Sequence, residues 1–236
     1  MNKPVLHSQH IDIWQFSLLI EPDQAFDLLN DEEKIRARRY HFERHQRRFI
    51  VARAMLRSIL AAYLGESARA LQFEFNKQGK PSLSHPQAIQ FNLSHSGELA
   101  LLAVGQTYPM GVDLEFFSAR PYVDLGAQLF SDDEMQALRN LPQRLQALGF
   151  FHVWAQKEAF IKASGLGLSY PTREFTVSAL PGSPGLVEDR LHQRVWQMHP
   201  FMPLVSCCAA LCHDPAIKHI HQQQVSPCDW LTRNPA

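Results

Sequence analysis

Trp154-Ala-Gln-Lys-Glu-Ala-Phe-Ile-Lys162 reads as a helix, and Gly111-Val-Asp-Leu-Glu115 reads as a strand. Period 2 puts Asp113 and Glu115 on one face of the strand. An i, i+4 spacing puts Glu158 and Lys162 on one face of the helix. If these faces meet, three carboxylates and an ammonium converge. That set suits a hard divalent cation, Mg²⁺ before others, bound together with a diphosphate. The blander alternative is a Glu–Lys pair on a solvated helix face, which is common.

Helices and strands alternate outward from this pair. Upstream, residues 11–18 alternate as a half-buried strand, and Pro22 opens a short helix reaching Leu29. Asn30 or Asp31 caps a longer helical region that ends at Gly65. Strands follow at 71–75, 89–93 and 99–104, with Ser94-His95-Ser96-Gly97 as a loop between the last two. The acidic strand covers 110–117. Ser131-Asp-Asp-Glu134 matches a capping box, and the helix of residues 144–163 stops at Gly165 and Gly167. Further strands are expected at 175–179, 194–198, 204–211 and 217–225, with a turn at 181–185 and a frayed tail after Ser226. Strand, helices, strands, and then the same again suggest two α+β halves meeting near 108–111.

The 236 residues carry equal numbers of acidic and basic side chains, so net charge points to neither nucleic acid nor membrane. The distribution is uneven, because nine of the 23 Lys and Arg fall between Asp31 and Arg57. Such a cluster is a footprint for a polyanion. Four cysteines in a chain of this size form no disulfide framework and lack zinc-ligand spacing, so they read as buried thiols. No signal peptide and no apolar run of membrane-spanning length is evident, which suggests the cytoplasm.

Five blocks occur in order: Arg48-Phe49-x-x-x-Arg53-x-x-Leu56-Arg57, Gly79-Lys80-Pro81, Phe91-Asn-Leu-Ser94-His95-Ser96, Gly111-Val-Asp-Leu-Glu115 and Trp154-x-x-Lys157-Glu158-Ala159-x-x-Lys162. Together they resemble the 4′-phosphopantetheinyl transferases. Length and the two-half plan resemble the monomeric, surfactin-synthetase-activating branch. The resemblance implies an α+β fold of two similar α/β halves related by a pseudo-two-fold. Residues 1–109 would contact the nucleotide of coenzyme A, and residues 110–236 would carry the metal and catalytic residues.

It also implies a reaction. A serine hydroxyl of an apo acyl, peptidyl or aryl carrier protein attacks the β-phosphate of coenzyme A, and 3′,5′-ADP leaves. Asp113, Glu115 and Glu158 would hold Mg²⁺ or Mn²⁺, and Lys162 would add positive charge at the diphosphate. Glu158, with Glu115 as runner-up, would take the serine proton directly or through water. Arg48, Lys80, Ser94 and His95 would bind coenzyme A, His95 at a phosphate and Arg48 and Lys80 beside it. Arg53 matches a family arginine and reads equally as a helix residue bridging to a core acid. Lys157 points about 100° from Glu158 on the helix and shares only the edge of the site. Phe116, Phe117 and residues 122–130 are candidates for receiving the carrier, with core packing as the other reading. Competing functions are a nucleic-acid or other polyanion-binding protein, a catalytically inactive coenzyme A-binding homologue, and a different metal-dependent phosphotransferase.

Overall fold

The computed structural model describes residues 4–119, 121–179 and 184–234. In chain order the elements are β1 (His10–Ser17), α1 (Asp31–Arg38), α2 (Glu43–Leu64), β2 (Phe73–Phe75), β3 (Pro81–Leu83), β4 (Gln90–Ser96), β5 (Leu99–Gly105), β6 (Met110–Phe116), α3 (Tyr122–Leu129), α4 (Asp132–Asn140), α5 (Gln143–Ser164), β7 (Gly185–Asp189), β8 (Arg194–Leu204), β9 (Cys207–His213), β10 (His219–Gln224) and α6 (Pro227–Arg233). The chain is a mixed α/β protein of two compact units. One comprises residues 1–74, 81–107 and 219–236, and the other residues 75–80 and 108–218. The chain passes between them close to the expected midpoint, but its last strand and helix return to the first unit.

In the first unit the sheet order is β10-β1-β5-β4. β1 runs parallel to β10 and antiparallel to β5. Trp14 and Phe16 of β1, Leu102 of β5 and the apolar stripe of α2 make its core. The helical region expected from residue 31 onward is two helices. Phe42 breaks it in an extended conformation before α2 begins. The short helix expected after Pro22 is a single 3-10 turn at Phe26–Leu28. Asn30 caps α1: its side chain accepts the Glu33 N–H while the Glu33 carboxylate accepts the Asn30 N–H. β4 runs on through Ser96, so Ser94 and His95 stand in a strand rather than in the expected loop. The tail is no frayed end either. Ser226 caps α6, and its Trp230 packs on Trp14 with ring centroids 4.8 Å apart.

In the second unit the four antiparallel strands lie in the order β6-β9-β8-β7. α5 covers the sheet, and Phe150, Phe160, Trp196, Cys208 and Cys212 belong to the core between them. Cys207, Cys208 and Cys212 are free thiols and buried, as composition suggested. Burial lifts Cys208 to about 12, so it stays an unreactive thiol. Ser131 and Glu134 form the expected capping box at α4. The strand expected at 175–179 is an extended segment outside the sheet, and β7 was not foreseen. Of the expected turn at 181–185, residues 181–183 lie outside the described residues.

Candidate active site

β6 delivers Gly111, Asp113 and Glu115 to one face by its period of two, and that face meets α5. The approach is close at one end. A Cβ on Gly111 would stand 2.1 Å from the Ala159 carbonyl oxygen and 2.3 Å from the Ala163 nitrogen. Only glycine lets strand and helix backbones come this near. One step along the face, Lys162 Nζ donates to Asp113 Oδ1 at 2.6 Å. A further step along, Trp154 Nε1 donates to Glu115 Oε1 at 3.1 Å. Glu158 lies midway between Trp154 and Lys162 on the helix, opposite both strand carboxylates.

The electrostatics follow from that placement. Asp113 is buried, and Glu115 and Glu158 are half-buried. The Glu158 carboxyl is raised to about 7, by burial first and then by Asp113 and Glu115, with Lys162 opposing them. Three hard carboxylates and one ammonium therefore share a face, as the spacing predicted. Among the described residues no group of three or more His, Cys, Asp or Glu is arranged to hold a metal ion. Two of the three carboxylates are already engaged by protein donors, Lys162 and Trp154. The donor chemistry fits a hard cation all the same, and the Lys162 ammonium on Asp113 is itself a cation in that position.

Other expected site residues have further partners. Arg48 Nη2 reaches Glu98 Oε1 at 2.8 Å, and Arg47 shares the same oxygen at 3.0 Å. Ser94 is buried and His95 exposed on β4. Lys80 Nζ donates to the carbonyls of Met110 and Ala163, each at 3.2 Å, and Asn76 Nδ2 donates to the Gly165 carbonyl at 2.9 Å. The Gly79-Lys80 turn thereby caps the C-terminal end of α5. Burial pulls the Lys80 amine down to about 8. Arg53 and Arg57 both reach Glu33, at 3.3 and 2.6 Å, so the basic run is partly a core network.

Sequence reasoning missed three things here. Gly111 was quoted without its packing reason, although a glycine opening an apolar strand is a signal of close approach. Trp154 packs half-buried against the core, and nothing local announces that its indole N–H also holds Glu115. Lys157 is not at the edge of the site. It is fully buried, ion-paired to Glu134 Oε2 at 2.9 Å and bonded to the Phe175 carbonyl at 2.8 Å. No local pattern announces a partner so far away along the chain.

The sequence is similar to those of known proteins. Residues 2–107 match the family model described as 4′-phosphopantetheinyl transferase, N-terminal, and residues 109–211 match that of the 4′-phosphopantetheinyl transferase superfamily. The 4′-phosphopantetheinyl transferase HetI of Nostoc sp. is 35% identical over 215 residues, covering 87% of this chain and 88% of HetI. This chain belongs to the 4′-phosphopantetheinyl transferase superfamily. Two other relatives of the superfamily are 4′-phosphopantetheinyl transferase psf-1 of Bacillus pumilus and 4′-phosphopantetheinyl transferase Sfp of Bacillus subtilis. The first is 35% identical and covers 65% of each chain. The second is 27% identical and covers 66% of this chain and 69% of its own. The protein is thus a transferase that moves the 4′-phosphopantetheine group of coenzyme A to a carrier protein. Among the described residues no helix is long and apolar enough to cross a membrane.

Proposed function

We propose that Asp113, Glu115 and Glu158 hold Mg²⁺ or Mn²⁺ and that Glu158 and Lys162 act on the reacting groups. The meeting of the β6 and α5 faces carries this reading, because it gathers oxygen donors and an ammonium on one side of one strand. When bound, the cation would supply charge neutralisation for the diphosphate and its leaving oxygen. The chain's own groups do the rest. Glu158, with Glu115 as the alternative, accepts the proton of the carrier serine directly or through a water. The serine Oγ–phosphorus bond forms as the bond to 3′,5′-ADP breaks. Lys162 leaves Asp113 and faces the negative charge of the phosphates, a contact most valuable as charge shifts to the leaving group. Trp154 keeps Glu115 oriented.

Arg48, Lys80, Ser94 and His95 are proposed to bind coenzyme A, with Arg48 and Lys80 at the 3′-phosphate. Lys80 gives two of its three ammonium protons to carbonyls and keeps one for an anion. A phosphate nearby would restore the charge that burial disfavours. The family's two halves and their pseudo-two-fold belong to the same proposal, as do a monomeric state, a cytoplasmic location and the absence of nucleic-acid and membrane partners. The plan common to both units, a 22-residue helix on a four-stranded sheet, supports two similar halves.

The test is mass spectrometry of apo acyl, peptidyl and aryl carrier proteins incubated with the protein and coenzyme A. One phosphopantetheine of added mass is expected with Mg²⁺. Transfer should stop on adding EDTA and resume with excess Mg²⁺. Undiminished transfer in metal-free buffer would refute the metal assignment.

A further inference from the structure

Three histidines meet at one corner of the first unit, outside the carboxylate site. The β1–β10 ladder is parallel, and its register pairs His10 with His219 and Asp12 with His221. Paired residues on neighbouring strands share a face, and so do residues two apart on one strand. His7 joins from the turn before β1, where its carbonyl accepts the His10 N–H at 3.2 Å. The His7 and His10 ring centroids lie 4.8 Å apart, and those of His10 and His219 lie 4.6 Å apart. All three residues are exposed. Among the described residues no hydrogen bond or ion pair holds any of the three rings.

The closer spacing is that of two ligands on one ion. A Zn–N bond of about 2.0–2.1 Å puts a ring centroid about 3.2 Å from the metal, so two imidazoles at about 90–110° around it have centroids about 4.5–5.2 Å apart. His10 and His219 already stand within that range. Their rings are inclined at 59° and belong to no preformed three-ligand group, so the exposed side chains must turn while the strands stay in place. Imidazole suits borderline first-row cations such as Zn²⁺, Ni²⁺ and Cu²⁺, whereas Mg²⁺ prefers oxygen. Asp12 adds negative charge one step along the same face. It accepts the Tyr63 O–H and lies 3.6 Å from His221 Nδ1. The ladder fixes the His10–His219 spacing, but a turn alone sets His7.

We propose that His10 and His219 form a cross-strand site for a borderline divalent cation, Zn²⁺ before others, that fastens the returning C-terminal segment to β1. His219 is the first residue of β10, and residues 219–236 rejoin the first unit after the chain has built the second. An ion held by both strands binds only the paired state, so it stabilises the pairing by mass action.

The experiment is a calorimetric titration with Zn²⁺ in excess Mg²⁺, which competes for Asp113, Glu115 and Glu158. It compares the unaltered protein with His7→Gln, His10→Gln, His219→Gln and the His10→Gln, His219→Gln double variant. A Zn²⁺-binding step is expected whose affinity falls about tenfold or more in each of His10→Gln and His219→Gln, at least the loss that follows removal of a hydrogen-bond partner behind a ligand. The double variant should lose little beyond either single one, because the two residues hold one ion. Zn²⁺ should also slow amide hydrogen exchange at residues 220–224 in the unaltered protein and not in His219→Gln. Unchanged affinity in His10→Gln and His219→Gln would overturn the site. Additive losses in the double variant would overturn it too, as the mark of two separate single-histidine sites. Losses confined to His7→Gln and His10→Gln would put the ion on the turn and overturn the cross-strand assignment.

Discussion

Helices α2 and α5 are both 22 residues long, and each stops on a glycine in the left-handed conformation, Gly65 or Gly165. Each follows a capping-box helix whose glutamate turns inward to a cation on the long helix. Glu33 takes Arg57, and Glu134 takes Lys157. Each cation also bonds carbonyls just beyond its helix, Ala68 and Leu71 for Arg57, and Thr172 and Phe175 for Lys157. The frame is thus repeated. The next residue on each helix is not. Ser58 accepts the indole N–H of Trp230 at 2.9 Å, and nearby Tyr63 accepts from Trp14 and donates to Asp12. Glu158 instead faces two carboxylates. One unit fills the space between helix and strand with satisfied aromatic rings, and the other leaves it to like charges. The comparison teaches that the buried ion pair is repeated as scaffold and that the two units part company at the residue that follows it.

The largest expected effect tests whether the two pairs are equivalent. Lys157→Met strands the buried Glu134, which costs about 3–5 kcal/mol, whereas Arg57→Met leaves Glu33 its second cation, Arg53 at 3.3 Å, and should cost less. Urea denaturation should show losses for both, the larger for Lys157→Met. A loss confined to one unit's variant would break the equivalence.

Glu158→Gln comes next. Turnover should fall about 10²-fold, the range for losing a general base. Stability should move the other way. Burial and neighbouring carboxylates raise Glu158 to about 7 from its ordinary value of 4.5, so the folded protein keeps a proton that the unfolded chain has released. That contribution is complete below about pH 4.5 and is lost as pH rises through 7. Measured in EDTA, the variant should melt above the unaltered protein at pH 8 and level with it at pH 4.5. A lower melting temperature at pH 8 would show that Glu158 belongs to the frame.

The smallest effect is expected in the first unit. Trp230→Phe removes the bond to Ser58 and trades the indole for a smaller ring, so it should cost about 1–3 kcal/mol and leave turnover unchanged. A fall in turnover would show that the aromatic filling does more than pack.

The frame was legible where the signal was local. The Ser131–Glu134 capping box, Gly65, Gly165 and the alternation of β1 and β6 all read directly, and so did the shared face of Asp113, Glu115, Glu158 and Lys162. Phe175, Val177 and Ala179 are buried in alternation like a strand's residues, but they belong to a segment held by side chains. Val177 N–H donates to Glu134, the Ser178 carbonyl accepts from Gln156 and the Phe175 carbonyl from Lys157. Period 2 reports extended backbone, not a neighbouring strand. α6 was hidden because it is short and begins at Pro227, which reads as a breaker although proline suits the first turn. The Lys80 contacts and the Lys157–Glu134 pair depend on elements distant in sequence, which spacing cannot reveal.

The parallel pairing of β1 with β10 has a consequence for how the protein is born. β10 and α6 leave the ribosome only after residues 108–218. At about 5–20 residues per second, that interval lasts about 5–20 s. Throughout it, β1 has one edge open and Trp14 lacks its cover of Trp230. An open strand edge is a template for joining another chain. The nascent first unit thus passes through a stage with an exposed strand edge, and slowing translation across the second unit should lengthen that exposure.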